Sequence, residues 1–129
     1  MIKMIALSGS LFTLIGCQLI NEHKLQINAV EFKNISDQVI ENVTLSVIST
    51  GGHVSCSVVD ANNRCGTGFP TKGYSGEMLS VSWSNQHNNY FEQQFTVQPP
   101  TSFDSKTYYK LTLLLSEVRQ VEIAVEAIK

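Results

Sequence analysis

The chain is poor in charge. Of its 129 residues only 16% are Asp, Glu, Lys or Arg, and the formal net charge is −2. It has no arginine cluster, basic stripe or acidic tail, which argues against a nucleic-acid surface. Proline is scarce, with three residues, and tryptophan occurs once. No apolar run reaches the roughly 20 residues that a membrane-crossing helix needs. The reactive patterns are missing as well. There is no Gly-x-Ser-x-Gly elbow and no Cys-x-x-Cys pair. Gly66 and Gly68 lack the Lys-Ser/Thr pair that completes a phosphate loop. His23, His53 and His87 fall in a tether and two turn regions, without ligand-pair spacing or a carboxylate cluster beside them. Asp60 and Asp104 lie near serines, which in a serine-rich chain says nothing. These residues lead us to expect no metal, no cofactor and no enzymatic reaction.

The N-terminus has an order of its own. One charge, Lys3, precedes the apolar or small run Met4 to Ile15, and a small residue, Gly16, precedes Cys17. A charged stretch followed by a short apolar one is the layout of a secretory signal. The sequence Leu14-Ile15-Gly16-Cys17 resembles the lipobox of bacterial lipoproteins. That resemblance implies cleavage after Gly16, a diacylglycerol on the Cys17 thiol and an acyl chain, palmitate for example, on the new amino group. Two or three chains hold a protein in a bilayer effectively permanently. Residues 1–16 are then a signal peptide, 17–24 a lipidated tether and 25–129 the folded domain. The mature chain has about 113 residues, one ordinary domain. Gln18 follows the cysteine instead of Asp. By the sorting rule of enteric-type lipoproteins this implies the inner leaflet of the outer membrane, with the domain in the periplasm of a Gram-negative host. In a Gram-positive host it implies the outer face of the single membrane.

The same resemblance makes sense of three cysteines, an odd number for an exported chain. If Cys17 carries lipid, Cys56 and Cys65 are left to pair in an oxidising compartment.

Downstream the dominant signal is period-two alternation. Leu25 to Asn34 alternates and then slips by one near Ala29, as a strand with a bulge does. Val43 to Val47, Val54 to Val58, Met78 to Trp83, Tyr90 to Val97, Tyr108 to Leu115 and Val121 to Ile128 read as further strands. Turn residues recur about every 8–14 positions and no helical pattern appears. The expectation is an all-β domain, an antiparallel β-sandwich of about seven strands. It resembles an immunoglobulin-like or fibronectin III-like fold. A transthyretin-like sandwich fits the pattern equally well. A bridge only nine residues long differs from the long-range one of true immunoglobulin domains.

One stretch stands above background as a candidate binding loop. Cys65 to Gly76 carries Phe69, Pro70 and Tyr74 among four glycines, so it reads as irregular. Aromatic residues on a pinned loop offer contact area at low entropic cost. Alternatively, Phe69 and Tyr74 fold inward and plug the open end of the sandwich; the inward placement is the preferred reading. Asn34-Ile-Ser36 and Asn42-Val-Thr44 match a glycosylation sequon, a chance match in a bacterial lipoprotein. The functional expectation is a non-enzymatic envelope lipoprotein, attached to the membrane through Cys17 and binding an envelope protein or glycan. The alternative is a structural part of an envelope or secretion assembly. The type VI secretion lipoprotein with a transthyretin-like fold is such a part, though no motif ties this chain to it.

Overall fold

The computed structural model describes residues 24–117 and 120–128. The signal segment 1–16, Cys17 and the tether up to residue 23 lie outside these. The described residues form eight strands: β1 Gln26–Asn34, β2 Ile40–Val47, β3 His53–Val59, β4 Arg64–Thr67, β5 Leu79–Asn85, β6 Tyr90–Phe95, β7 Tyr108–Leu115 and β8 Glu122–Ala127. They form two four-stranded sheets, ordered β4-β1-β7-β8 and β3-β2-β5-β6. The domain is all-β, a two-sheet sandwich.

Alternation builds the core. In β7, Leu111, Leu113 and Leu115 are fully buried and Tyr109 nearly so, while the residues between them face outward or lie half-buried. The Leu113-Leu114-Leu115 run therefore obeys the ordinary pleat, with Leu114 on the outer side. Phe32, Val30 and Ile27 of β1 face Val43, Leu45 and Val47 of β2 and Leu79, Val81 and Trp83 of β5 within one cluster. Each such side chain, fully buried, contributes about 1.5–3 kcal/mol.

Two irregularities keep the pattern in register. The β1–β7 ladder skips from Ile27 to Ala29, which leaves Asn28 outside it. This is the slip that the sequence shows near Ala29. In β2, the register against β5 shifts between Glu41 and Thr44. There Asn42 adopts φ 55°, a left-handed conformation that asparagine tolerates better than most residues. The extra residue lets Ile40 and Val43, three apart, both point inward.

The fold departs from expectation in three ways. First, β1 and β7 run parallel, so the first sheet is mixed instead of purely antiparallel. Period two is the same in either case, and alternation cannot report strand direction. Second, an eighth strand, Arg64–Thr67, overlaps the start of the stretch Cys65 to Gly76 read as irregular. It is short, sits on a sheet edge and pairs with only one neighbour, β1, from Val30↔Thr67 to Lys33↔Arg64. Four residues with a glycine at the third position carry too little pattern to announce a strand. Third, the wiring is not that of an immunoglobulin constant domain, where the first, second, fourth and fifth strands share a sheet. Here β1 lies with β4, β7 and β8, and the β2–β3, β5–β6 and β7–β8 hairpins each stay within one sheet.

Candidate functional site

Cys17 lies outside the described residues. Cys56 and Cys65 are bonded, with S–S 2.02 Å and Cα–Cα 6.5 Å. The bridge is short in sequence but spans the sandwich. Cys56 is on β3, an edge of the second sheet, and Cys65 on β4, an edge of the first. The turn 60–63 carries the chain from one sheet to the other, so nine residues suffice for an inter-sheet staple. Near this turn stands Asn34, at the end of β1 and fully buried. Its amide nitrogen lies within hydrogen-bond distance of the carbonyls of Gln38, Val59 and Asp60, at 2.7, 3.1 and 3.2 Å. Its oxygen accepts from the backbone and hydroxyl of Ser36. This first sequon is a structural lock, not a glycan acceptor. An asparagine two residues before a serine at a strand end is the signal of such a turn.

The loop after β4 folds inward. Tyr74 is 3% exposed. Its backbone forms an isolated bridge with Leu25, with bonds of 2.9 and 2.7 Å. Its hydroxyl donates to the Glu77 carbonyl at 2.6 Å and accepts from Val97 N–H at 3.0 Å. Burial raises the Tyr74 phenol above its ordinary value; the Val97 N–H opposes this and Glu77 adds to it. Phe69 is half-buried and meets Tyr74 edge-to-face, with ring centroids 6.1 Å apart. Tyr74 is therefore a plug in the end of the sandwich and is withdrawn from the contact surface considered for it. Phe69 keeps one side toward solvent.

That side borders a cleft of about 380 Å3 over the outer face of the first sheet. Gln26, Asn28, Phe69, Thr71, Lys72 and Tyr108 line it. Tyr108 opposes Gln26 across the parallel β1–β7 ladder. Its neighbour Tyr109 is buried, so the pleat turns Tyr108 outward, where it is 54% exposed. Sequence reasoning missed this cluster. The parity of β7 could have placed Tyr108 outside, but nothing in the chain announces that Gln26 and the loop flank it.

On the far side of the molecule the edges of the two sheets, β6 and β8, carry no covalent link. Trp83 stacks on Phe91 at 5.4 Å, and its indole N–H is buried without a hydrogen-bond partner among the described residues. Asn85 donates to Glu117 at 2.7 Å, and Gln93 accepts from Val121 N–H at 3.0 Å. His53, expected in a turn, is exposed at the start of β3 and His87 is exposed in a turn, and among the described residues no group of three or more His, Cys, Asp or Glu could hold a metal ion. Asp104 accepts from Lys106 N–H and the Thr107 hydroxyl, which hold its carboxyl below the ordinary range. It shapes the turn into β7.

No protein-family model and no curated protein matches the chain. Among solved structures the chain is similar to an NMR structure of a protein from Eubacterium rectale. The TM-score is 0.50 at 9% identity, over 81% of this chain and 90% of that one. At that identity the likeness speaks for the fold alone.

Proposed function

We propose that the chain is a lipid-anchored envelope protein whose sandwich serves as a non-enzymatic interaction module. The observation that carries this reading is the fate of the thiols. Cys56 and Cys65 consume one another, which leaves Cys17, behind Leu14-Ile15-Gly16, as the one cysteine without a thiol partner in the chain. Among the described residues the first strand begins at Gln26, a short stretch of sequence beyond that cysteine. The buried polar side chains support the same reading. Asn34 and Asn85 spend their hydrogen bonds on turns and strand ends, so they act as braces.

A second reading, a structural part of an envelope or secretion assembly, is favoured by one observation. The order β4-β1-β7-β8 over β3-β2-β5-β6, with β1 and β7 parallel, resembles a transthyretin-like sandwich more than an immunoglobulin-like one. That is analogy at the level of fold, and fold does not fix function.

Membrane fractionation tests the anchor. Cys17→Ala is expected to move the protein from the membrane to the soluble fraction, and continued sedimentation of the variant with membranes defeats the lipoprotein reading. A photo-crosslinker placed at Tyr90, an exposed side chain on the β6 edge, then tests for a neighbour in the native envelope. One discrete protein adduct supports the assembly reading.

A further inference from the structure

We propose that the cleft between Phe69 and Tyr108 binds an acidic glycan. A sugar ring lies on the exposed face of Tyr108, the amides of Gln26 and Asn28 bond its hydroxyls, and Lys72 faces its carboxylate. The inference rests on the interaction-module reading and gives it a site and a ligand class. The space suits a ligand, since pockets typically run from about 300 to 1,000 Å3 and this cleft has about 380 Å3.

The walls are already in place. The loop that carries Phe69, Thr71 and Lys72 is held at its start by the Cys56–Cys65 bridge. It is held at its end by the paired backbone bonds of Leu25 and Tyr74. Phe69 is further fixed against the buried Tyr74 ring. Within the loop, Gly73 has φ +65°, and a Cβ there would come within 3.0 Å of Lys24 Cδ. Little ordering remains to be done on binding, which is where loop sites usually lose affinity.

The chemistry of the lining points to sugar. Neutral amides, a hydroxyl and exposed aromatic faces form the pattern that matches a ring with alternating C–H and O–H groups. The side chains of Gln26, Asn28, Thr71, Lys72 and Tyr108 make no hydrogen bond or ion pair with other described residues. On the same outer face, by contrast, Glu31 is committed to Arg64 at 3.3 Å and to Lys110 at 3.6 Å. Asn28 stands in the bulge of β1, outside the ladder, and its side chain is exposed. No carboxylate lines the cleft, Lys72 does, and the Lys24 side chain lies beside the loop. In a chain of net charge −2, that local sign favours an anionic ligand.

The test uses the full chain in detergent micelles and three probes in calorimetric titration. These are a tetrasaccharide of alternating N-acetylglucosamine and N-acetylmuramic acid, whose lactyl ethers carry carboxylates; neutral chitotetraose; and poly-L-glutamate. The acidic sugar is expected to bind more tightly than the neutral one, and poly-L-glutamate not to compete with it. Tyr108→Ala should weaken acidic-sugar binding on the order of tenfold. Lys72→Gln should bring its affinity down to that of chitotetraose. Asn28→Ala, in the bulge outside the ladder, provides a second loss of affinity if Tyr108→Ala disturbs the fold. Failure of the acidic sugar to bind overturns the proposal, as does unchanged affinity in both Tyr108→Ala and Asn28→Ala. Competition by poly-L-glutamate shows a site for acidic protein segments and overturns it too. Tyr90 is outside the cleft lining, so an envelope protein crosslinked there would leave the module reading standing while the glycan site fell.

Discussion

The two flanks of this sandwich are closed by different means. On one, β3 and β4 bring the sheet edges together through the Cys56–Cys65 bond, and Asn34 locks the nearby turn with three backbone carbonyls. On the other, Gln93 of β6 accepts from Val121 N–H just before β8, and Asn85, at the end of β5, donates to Glu117 just after β7. The residues between β6 and β8 there, Phe91, Ile123 and Val125, are only partly buried. Both flanks use a buried asparagine. Asn34 is 0% exposed and reaches main-chain carbonyls at the end of β3; Asn85 is 3% exposed, holds its own turn through the His87 and Asn89 N–H groups, and reaches beyond it to a partly exposed carboxylate. Main-chain partners move only if the strands move, whereas a surface carboxylate can swing into water. The stapled flank is therefore expected to open only with global unfolding, and the other to open locally and first.

The largest effect should come from removing the staple. Cys56→Ala with Cys65→Ala releases a nine-residue loop, and on the chain-entropy account this costs about 2.5 kcal/mol. Urea denaturation should show the midpoint falling accordingly, with little change in slope. A loss under about 0.5 kcal/mol would mean that Asn34 and the core already hold this flank without covalent help. On the other flank, Glu117→Ala removes the partner of the Asn85 amide. Because the carboxylate is partly exposed, the expected cost is about 1 kcal/mol. Hydrogen exchange in this variant should quicken in Tyr90–Phe95 and Glu122–Ala127 before it changes in His53–Val59. Equal acceleration of both flanks would erase the distinction between them.

Much of this was open to sequence reasoning, and the limits have physical causes. The inward residues Val43, Leu45 and Val47 of β2 follow from alternation alone, and so does the slip near Ala29, because one-sided burial enforces period two; the run Leu113-Leu114-Leu115 hides the alternation of β7 and reads as buried on both sides or bulged. The pairing of Cys56 with Cys65 follows once Cys17 is set aside as the lipid site. What alternation cannot carry is anything that depends on which strands are neighbours. Parallel pairing of β1 with β7 decides that Gln26 stands beside Tyr108, and no local pattern records that pairing. Tyr74 shows where the boundary falls. The inward placement preferred for it from the sequence is the one it takes, but its partner, Leu25, nearly fifty residues distant, is not written in the loop. The short β4 was missed because an edge strand with one partner needs little pattern of its own.

The last expected effect, no larger than that of Glu117→Ala, falls on a hydrogen bond that ties the stapled flank's loop to the chain leaving β6. The Tyr74 hydroxyl accepts from Val97 N–H and donates to the Glu77 carbonyl. Burial raises its phenol in the folded state above the ordinary value of 10.0. The folded protein therefore holds this proton at pH values where the unfolded chain has lost it. Its contribution is complete below the unfolded value and is lost as pH rises through the folded one. Stability should thus decline from about pH 10 upward. Tyr74→Phe should be less stable at pH 8, by roughly 1 kcal/mol for the lost hydrogen bonds, and its denaturation midpoint should fall less steeply between pH 9 and pH 11. Parallel alkaline slopes in the two proteins would show that the tie at the end of the sandwich bears no proton-linked load, leaving Leu25 and the Phe69 contact to hold the loop against β1.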